Sequence, residues 1–196
     1  MTLAPDPAAE DSRERLVLRA RTDREAFGQL YDACYPGVFR YCLRRLFVRA
    51  VAEDVTAEVF LSVAAKMRHF EGTSEEDFRR WVFRIATNKA NAYVRQARRR
   101  GELLESAVRS GALAAAADTQ RRPADVEILD WPAVYQAILG LKPRDQAILV
   151  LRFFEHMSHE EIAGVLAARP ATVRAALSRA LERLRHCFKI DDDHGP

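Results

Sequence analysis

The chain reads as an all-α protein: two small helical domains joined by a flexible linker, the second containing a helix-turn-helix. Three observations point there. Only 8 of 196 residues are glycine, and apolar residues recur at three- and four-residue spacing rather than in alternation. The apolar stripe lapses across residues 101–130, where an alanine run lies between Gly111 and Pro123. Helical patterning then resumes and ends in two short patterns around Pro170.

Each element can be justified in order. From Arg24 to Phe47, Phe27, Leu30, Tyr31, Cys34, Tyr35, Val38, Phe39, Cys42, Leu43, Leu46 and Phe47 keep an unbroken helical register. Pro36-Gly37 is expected to kink or split this helix, although the register continues across it. A second helix fits Val51 to His69, and a third fits Glu75 to about Arg99. Beyond the linker, the pattern predicts Trp131–Leu139, Pro143–Glu155, Ser158–Ala167 and Pro170–Phe188. Gly140 suits the close of the first of these, and Pro143 suits the first turn of the next. Ser158 with Glu161 three residues later has the form of a capping box. The segments are thus 1–23 (extension), 24–100 (first domain), 101–130 (linker), 131–188 (second domain) and 189–196 (tail).

The bulk numbers exclude more than they assign. A net charge of +3 is modest, so the distribution of charge has to carry the argument. No apolar run approaches the ~20 residues that span a bilayer, so membrane insertion is not expected. The acidic N-terminus MTLAPDPAAEDSRER lacks the apolar core of a secretory signal. Cys34 and Cys42, on one helix, would lie about 12 Å apart at ~1.5 Å rise per residue, too far to bridge. Reduced thiols and a cytoplasmic setting follow as expectations.

The third helix has two faces. Phe78, Trp81, Val82, Ile85, Ala92 and Tyr93 form an apolar stripe expected to be core. Opposite lie Arg80, Arg84, Asn91, Arg95 and Arg98, with Thr87 and Asn88 beside them. Eight Lys or Arg and no acidic residue occur between Phe78 and Arg100. Solvated faces usually mix signs to form i,i+4 pairs, whereas a single-sign stripe repels itself unless a polyanion lies along it. The pattern therefore points to nucleic acid. Lys89 falls on the apolar side and should reach out from its edge. The preceding helix reverses the sign. Asp54, Glu58 and Leu61 share one face with Glu53 at its edge, opposite Val55, Val59, Phe60, Val63 and Met67. An acidic row around an exposed leucine suits docking onto a basic partner.

In EEIAGVLAARPATVRAALSRA (160–180), Ile162, Ala163 and Leu166 face Val173, Ala176, Leu177 and Ala180, with small Ala163 allowing a close crossing. The outward face of the second helix carries Thr172, Arg174, Ala175, Ser178, Arg179 and Arg183, preceded by Arg169. Arg can grip guanine, Ser and Thr can bond phosphate or base edges, and Ala can pack on a thymine methyl. The turn lacks the usual glycine. Ala167 stands there, and a left-handed alanine would cost about 1–2 kcal/mol, so a differently built turn is the expectation.

No catalytic or metal centre is legible, and no cofactor is implied. His156, His159, Glu160 and Glu161 lack metal-ligand spacing, and acidic residues at a helix start have a simpler electrostatic reason. Glu75, Glu76 and Asp77 sit at another helix start for the same reason. The rival enzyme reading, a metal-dependent nuclease, would rest on those three carboxylates.

The segments FGQLYDACYPGVFRY, AEDVTAEVFL and RRWVFRIATNKANAYVRQARRR, followed by LKPRDQAILVLRFFEHMSHEEIAGVLAARPATVRAALSRALERLR, resemble an extracytoplasmic-function (ECF) sigma factor of the sigma-70 family. The resemblance covers most of residues 24–188 in the right order. It implies a promoter-specific, non-catalytic subunit of bacterial RNA polymerase. AEDVTAEVF resembles the segment that docks on the core enzyme, which suits Glu53, Asp54, Glu58 and Leu61. The basic helix resembles the segment that binds and melts the −10 element, with Arg79, Arg80, Arg84, Asn88, Lys89, Asn91, Arg95 and Arg98 holding the opened strand. The loop RHFEGTSEED (68–77) resembles the one that accepts an extruded base. The second domain resembles the reader of the −35 duplex, through Arg169, Thr172, Arg174, Ala175, Ser178, Arg179 and Arg183. Implied partners are core RNA polymerase and promoter DNA, duplex and single-stranded, and the family admits an anti-sigma factor. Thr56 departs from the usual glutamine, and Ala167 and Ala171 from a frequent glycine. Thr56 lies towards the apolar side of its helix, where a phosphate would disrupt packing. The alternative is an autonomous dimeric helix-turn-helix regulator, which leaves the basic stripe and the acidic face without a role.

Overall fold

The computed structural model describes residues 15–109 and 137–189, and every regular element within them is a helix. The expectations for 1–14, 110–136 and 190–196 lie outside the described residues; these take in most of the linker, most of Trp131–Leu139 and nearly all of the tail. We number the helices α1 (15–19), α2 (Arg24–Leu46), α3 (Arg49–Lys66), α4 (Glu75–Arg109), α5 (137–140), α6 (Pro143–Phe153), α7 (His159–Leu166) and α8 (Pro170–Lys189). A 3-10 turn, Met67–His69, follows α3.

α2 starts where Asp23 caps it, its Oδ1 accepting from the amides of Glu25 at 2.9 Å and Ala26 at 3.4 Å. Pro36 lies inside α2 without dividing it. The helix ends at Phe47, which is left-handed at φ 61 and returns its amide to the Leu43 carbonyl. α2, α3 and α4 pack on one another around Leu30, Val38, Tyr41, Val59, Val63, Phe78 and Val82. The preceding segment joins this core, because Val17 and Ala20 are buried. Fully burying one valine contributes about 1.5–3 kcal/mol, so residues 15–23 are anchored rather than appended.

α4 runs ten residues past its expected end, through Gly101. Nothing lies within 4 Å of a Cβ placed at Gly101, and the sequence after it is rich in Glu, Leu and Ala. A lone glycine costs a helix about 1 kcal/mol, which such neighbours offset. The expected core stripe of α4 also stops early. Phe78 and Val82 are buried and Trp81 and Ile85 half-buried, but Ala92 and Tyr93 are exposed. From residue 95 to 101 every position is exposed, since the helix there has outrun its covering neighbours.

In the second domain, α6, α7 and α8 enclose Ile148, Leu151, Met157, Ile162, Val165, Val173 and Ala180. The capping box is present: Ser158 Oγ accepts from the Glu161 amide at 3.1 Å, and Glu161 Oε2 accepts from the Ser158 amide at 2.7 Å. Ala167 closes α7 in the left-handed region at φ 48, ψ 50. The turn is therefore built in the ordinary left-handed way with alanine in the glycine position, contrary to the expectation of a different turn. The two domains also meet, with α7 against α4 and α6 against α2 and α4.

Candidate nucleic-acid and polymerase interfaces

Four surfaces correspond to the sequence reading. On α3, Glu53, Asp54 and Glu58 are exposed, and Leu61 is 71% exposed although its helix buries Val55, Val59, Phe60 and Val63. Glu53 takes an i,i+4 bond from Arg49 at 2.9 Å. Thr56 is fully buried and donates to the Ala52 carbonyl at 2.6 Å, so its hydroxyl is spent within the helix. A Leu flanked by carboxylates on an otherwise well-packed helix is a compact apolar anchor in an anionic setting.

The recognition face of the helix-turn-helix is wholly outward. Arg169, Thr172, Arg174, Ala175, Ser178, Arg179 and Arg183 are all exposed, while Val173, Ala176, Leu177 and Ala180 are buried beneath them. Two of its arginines lie near acids on neighbouring helices of the same domain. Arg174 is 3.9 Å from Glu160, and Arg183 is 3.5 Å from Asp145. The Arg174 pair is exposed on both sides and weak, and the Arg183 guanidinium is itself half-exposed beside a largely covered Asp145.

The third surface is a concavity of about 450 Å³ lined by His69, Phe70, Glu71, Gly72, Asp77, Arg80, Trp81 and Arg84. Phe70 and Trp81 stack with centroids 4.7 Å apart at 26°. Phe70 also meets Phe78 edge-on at 5.9 Å. Glycine suits position 72, since a Cβ there would overlap Phe70 Cζ and lie 2.6 Å from Asp77 Cβ. Arg21 Nη2 donates to the Gly72 carbonyl at 3.0 Å, tying the segment before α2 to this loop. An aromatic floor with arginines at its rim has the chemistry that holds an unstacked base. Sequence reading missed Arg21 altogether and assigned Trp81 to the core. The one available signal was the aromatic density of Phe70, Phe78 and Trp81 around a glycine.

The fourth surface is the basic face of α4, and Arg79, Arg80, Arg84 and Arg98 on it are engaged. Arg79 Nη2 donates to the Glu155 carbonyl at 3.0 Å, Arg84 Nη2 to Gly164 at 2.6 Å, and Arg98 Nη2 to Leu139 at 2.7 Å and Leu141 at 2.9 Å. Arg80 bonds Asp77 at 3.3 Å, and its stem lies against Gly164, where a Cβ would come within 2.6 Å of Arg80 Cδ. Asn91 Oδ1 accepts from Arg45 Nη2 at 2.6 Å. Asn88 and Arg95 are exposed. Lys89 reaches out from the apolar side as expected, but to Glu58 Oε2 at 3.0 Å, joining the basic face to the acidic one. Thr87 does not flank the basic face. It is buried, and its hydroxyl shares a 2.8 Å bond with Tyr41 Oη.

Behind these contacts lie charged groups that the sequence did not mark. Arg45 is 1% exposed, donates to Gln146 Oε1, and reaches the Pro143 carbonyl at 2.9 Å. Among the described residues no carboxylate bonds it. Glu155 is buried with its Oε1 3.5 Å from Arg44 Nη1, and Arg44 lies over the Phe154 ring at 4.4 Å. Burial raises the Glu155 carboxyl above the ordinary carboxylate value, against the opposing pull of Arg44, Arg40, Arg79 and His156.

Comparison with known proteins fits this geometry. The sigma-70 region 2 model matches residues 30–100, and the sigma-70 region 4 model matches residues 132–184. The ECF RNA polymerase sigma factor BldN of Streptomyces coelicolor is 32% identical over 191 residues, spanning 94% of this chain and 70% of the relative. ShbA of Streptomyces griseus, also an ECF RNA polymerase sigma factor, is 30% identical over 178 residues, spanning 87% of this chain and 92% of its own. The solved sigma factor RpoE of Bartonella quintana, in complex with the anti-sigma factor NepR, shares the fold. Its TM-score is 0.59 at 23% identity, over 84% of this chain and 98% of that one. With region 2 and region 4 both present in order, the chain belongs to the extracytoplasmic-function sigma factors of the sigma-70 family.

Proposed function

We propose that this chain docks on core RNA polymerase through α3, reads the −35 duplex through α8, and binds and opens the −10 region through α4. Its biochemical role is that of a promoter-specific sigma factor, a transcription initiation factor rather than a classical enzyme. The observation that carries the reading is the pairing, in one chain, of region 2 and region 4 matches with an exposed recognition helix and an exposed acidic docking row. Asp54, Glu58 and Leu61 are the docking residues, with Glu53 at the edge. Arg79, Arg80, Arg84, Asn88, Lys89, Asn91, Arg95 and Arg98 serve the opened strand. Arg169, Thr172, Arg174, Ala175, Ser178, Arg179 and Arg183 serve the duplex. The Phe70–Trp81 floor receives the extruded base. No helix among the described residues is long and apolar enough to cross a membrane. We place the protein in the cytoplasm, where core polymerase and promoter DNA are.

Run-off transcription with core polymerase across a promoter pool tests this. Enrichment of specific promoters only when the protein is added is the expected result; no enrichment of any promoter would overturn it. Asp54→Lys with Glu58→Lys should weaken core binding. Arg80→Ala with Arg84→Ala should spare core binding and impair opening. Identical behaviour of the two sets would refute the division of faces.

A further inference from the structure

The loop wall of the Phe70–Trp81 concavity is held from behind by a residue of the segment before α2. Residues 70–73 carry no regular structure between the 3-10 turn and α4. Their two ends are fixed locally. The Phe70 amide donates to the Met67 carbonyl at 3.1 Å, and Ser74 Oγ accepts from the Asp77 amide at 3.1 Å. Between those ends Glu71 and Thr73 are exposed and Gly72 is half-buried. Among the described residues, the one hydrogen bond on the backbone of 71–73 is the 3.0 Å bond from Arg21 Nη2 to the Gly72 carbonyl. Arg21 has a firm base for this reach. Val17 and Ala20 are buried beside it. The turn that carries it is closed by the Thr22 and Asp23 amides, which donate to the Arg19 carbonyl at 3.0 and 2.8 Å, and Arg19 bonds Asp23 at 2.7 Å. Arg21 Nε is buried with no hydrogen-bond partner among the described residues, so the side chain is committed to this placement rather than solvated. The bond bears on the floor of the concavity, because Gly72 packs so closely on the Phe70 ring that a Cβ would overlap it, and that ring stacks on Trp81. Arg21 itself lies outside: it lines a neighbouring groove with Met67 and Arg68, whereas Phe70, Gly72 and Trp81 line the concavity.

We propose that Arg21 is a positioning residue for the extruded base: it holds the Gly72 peptide against the Phe70–Trp81 floor before DNA arrives, without touching the base. This rests on the reading of that concavity as the base pocket. A short loop around a glycine loses backbone freedom when it closes on a ligand, and each residue fixed costs free energy. Fixing the loop beforehand moves that cost from binding to folding, and the captured base then binds more tightly. A guanidinium suits the task, because a charge-assisted bond to a carbonyl is stronger than a neutral one. An arginine that met the DNA backbone would serve every nucleotide alike. Arg21 serves only the one whose base enters the pocket.

The test uses the full chain assembled with core RNA polymerase. The probes are a labelled single strand carrying the non-template −10 region of a promoter recovered in the run-off assay, and the same strand made abasic at one position at a time. In the parent, one abasic position should weaken binding more than the others, marking the base that enters the pocket. Arg21→Met keeps an apolar stem and removes the donors. It should bind the intact strand about tenfold more weakly, the worth of one charged hydrogen bond. It should bind the strand abasic at the marked position as tightly as the parent does. Arg21→Lys, which retains a cationic donor, should recover part of the loss. Core affinity and helical content should be unchanged in both variants. Equal loss on the intact and the abasic strand would overturn the proposal, since a phosphate contact or a general loosening of the fold gives that result. So would an Arg21→Met protein that binds the intact strand like the parent. Loss of fold in Arg21→Met leaves Arg21→Ala to decide by the same comparison, and loss of fold in both would assign Arg21 to stability and overturn the proposal. A parent insensitive to every abasic position strikes the base-pocket reading and this proposal with it, whereas a sensitive parent with equal losses in the variant strikes the role of Arg21 alone.

Discussion

Replacing Ala167 with glycine should stabilise the second domain. Ala167 ends α7 at φ 48, ψ 50, its amide returning to the Ala163 carbonyl, and the residue is exposed. A left-handed L-residue costs about 1–2 kcal/mol relative to glycine, which has no Cβ to clash. Glycine also makes the unfolded chain freer, which takes back about 0.4–1 kcal/mol. Because the methyl is exposed, its loss forfeits little burial. The balance centres on about 0.8 kcal/mol in favour of Ala167→Gly. For a domain of this size that raises Tm by about 3–6 °C, readable by calorimetry on the full chain. Ala168→Gly is the control. Ala168 is half-buried against the core, has no positive φ, and donates its amide to the Ala163 carbonyl at 2.9 Å. It should therefore lower Tm. If Ala167→Gly lowers Tm as well, the strain assigned to the turn is wrong. Duplex binding by Thr172, Arg174 and Ser178 should be untouched, since none of them contributes to the cap.

Three further outcomes follow from particular contacts. Gly72→Ala should destabilise the first domain by about 1–3 kcal/mol through overpacking against Phe70 and Asp77, and impair strand opening while sparing core binding, by urea denaturation and run-off assay. Burial pushes the Cys34 and Cys42 thiols up to about 11, so their thiolate fraction at pH 7 is on the order of 10⁻⁴, and both should resist alkylation until urea unfolds the chain. The carboxyl of Glu155 is raised by burial where the second domain meets the first, with Arg40 and Arg44 of α2, Arg79 of α4 and neighbouring His156 opposing the rise. A raised acid binds its proton more tightly when the two domains are packed together, so its contribution to that packing is fully present below the ordinary value of 4.5 and is lost as pH rises through the raised one. Scattering across that range should show expansion with rising pH, and Glu155→Gln should flatten the response.

What the sequence disclosed and what it withheld divide along physical lines. Helix positions were legible because a 3.6-residue period is a local property, and the Ser158–Glu161 cap needs only residues three apart. The recognition face was legible for the same reason, as α8 buries one side and leaves the other to solvent. Thr87 was misplaced because its partner, Tyr41, is 46 residues away, and a hydroxyl at the edge of a polar face gives no sign of being claimed from below. Ala92 and Tyr93 continue the stripe of Phe78 and Val82, yet nothing buries them, because a helix's register does not say where its neighbours end.

The basic stripe shows how far charge alone can be read. Eight cations without an acid between Phe78 and Arg100 state a demand for acceptors, and a polyanion is the obvious supply. Guanidinium groups are not selective between a phosphate oxygen and a backbone carbonyl, and the second domain offers such carbonyls at Leu139, Leu141, Glu155 and Gly164. These are backbone atoms, present whatever the side chains are, so no residue type could announce them. The same indifference makes the contact reversible. A side-chain carboxylate buried against each arginine would hold the domains more firmly and would compete poorly for release. Neutral carbonyls satisfy the cations, and a fully charged phosphate would still be the stronger ligand for them.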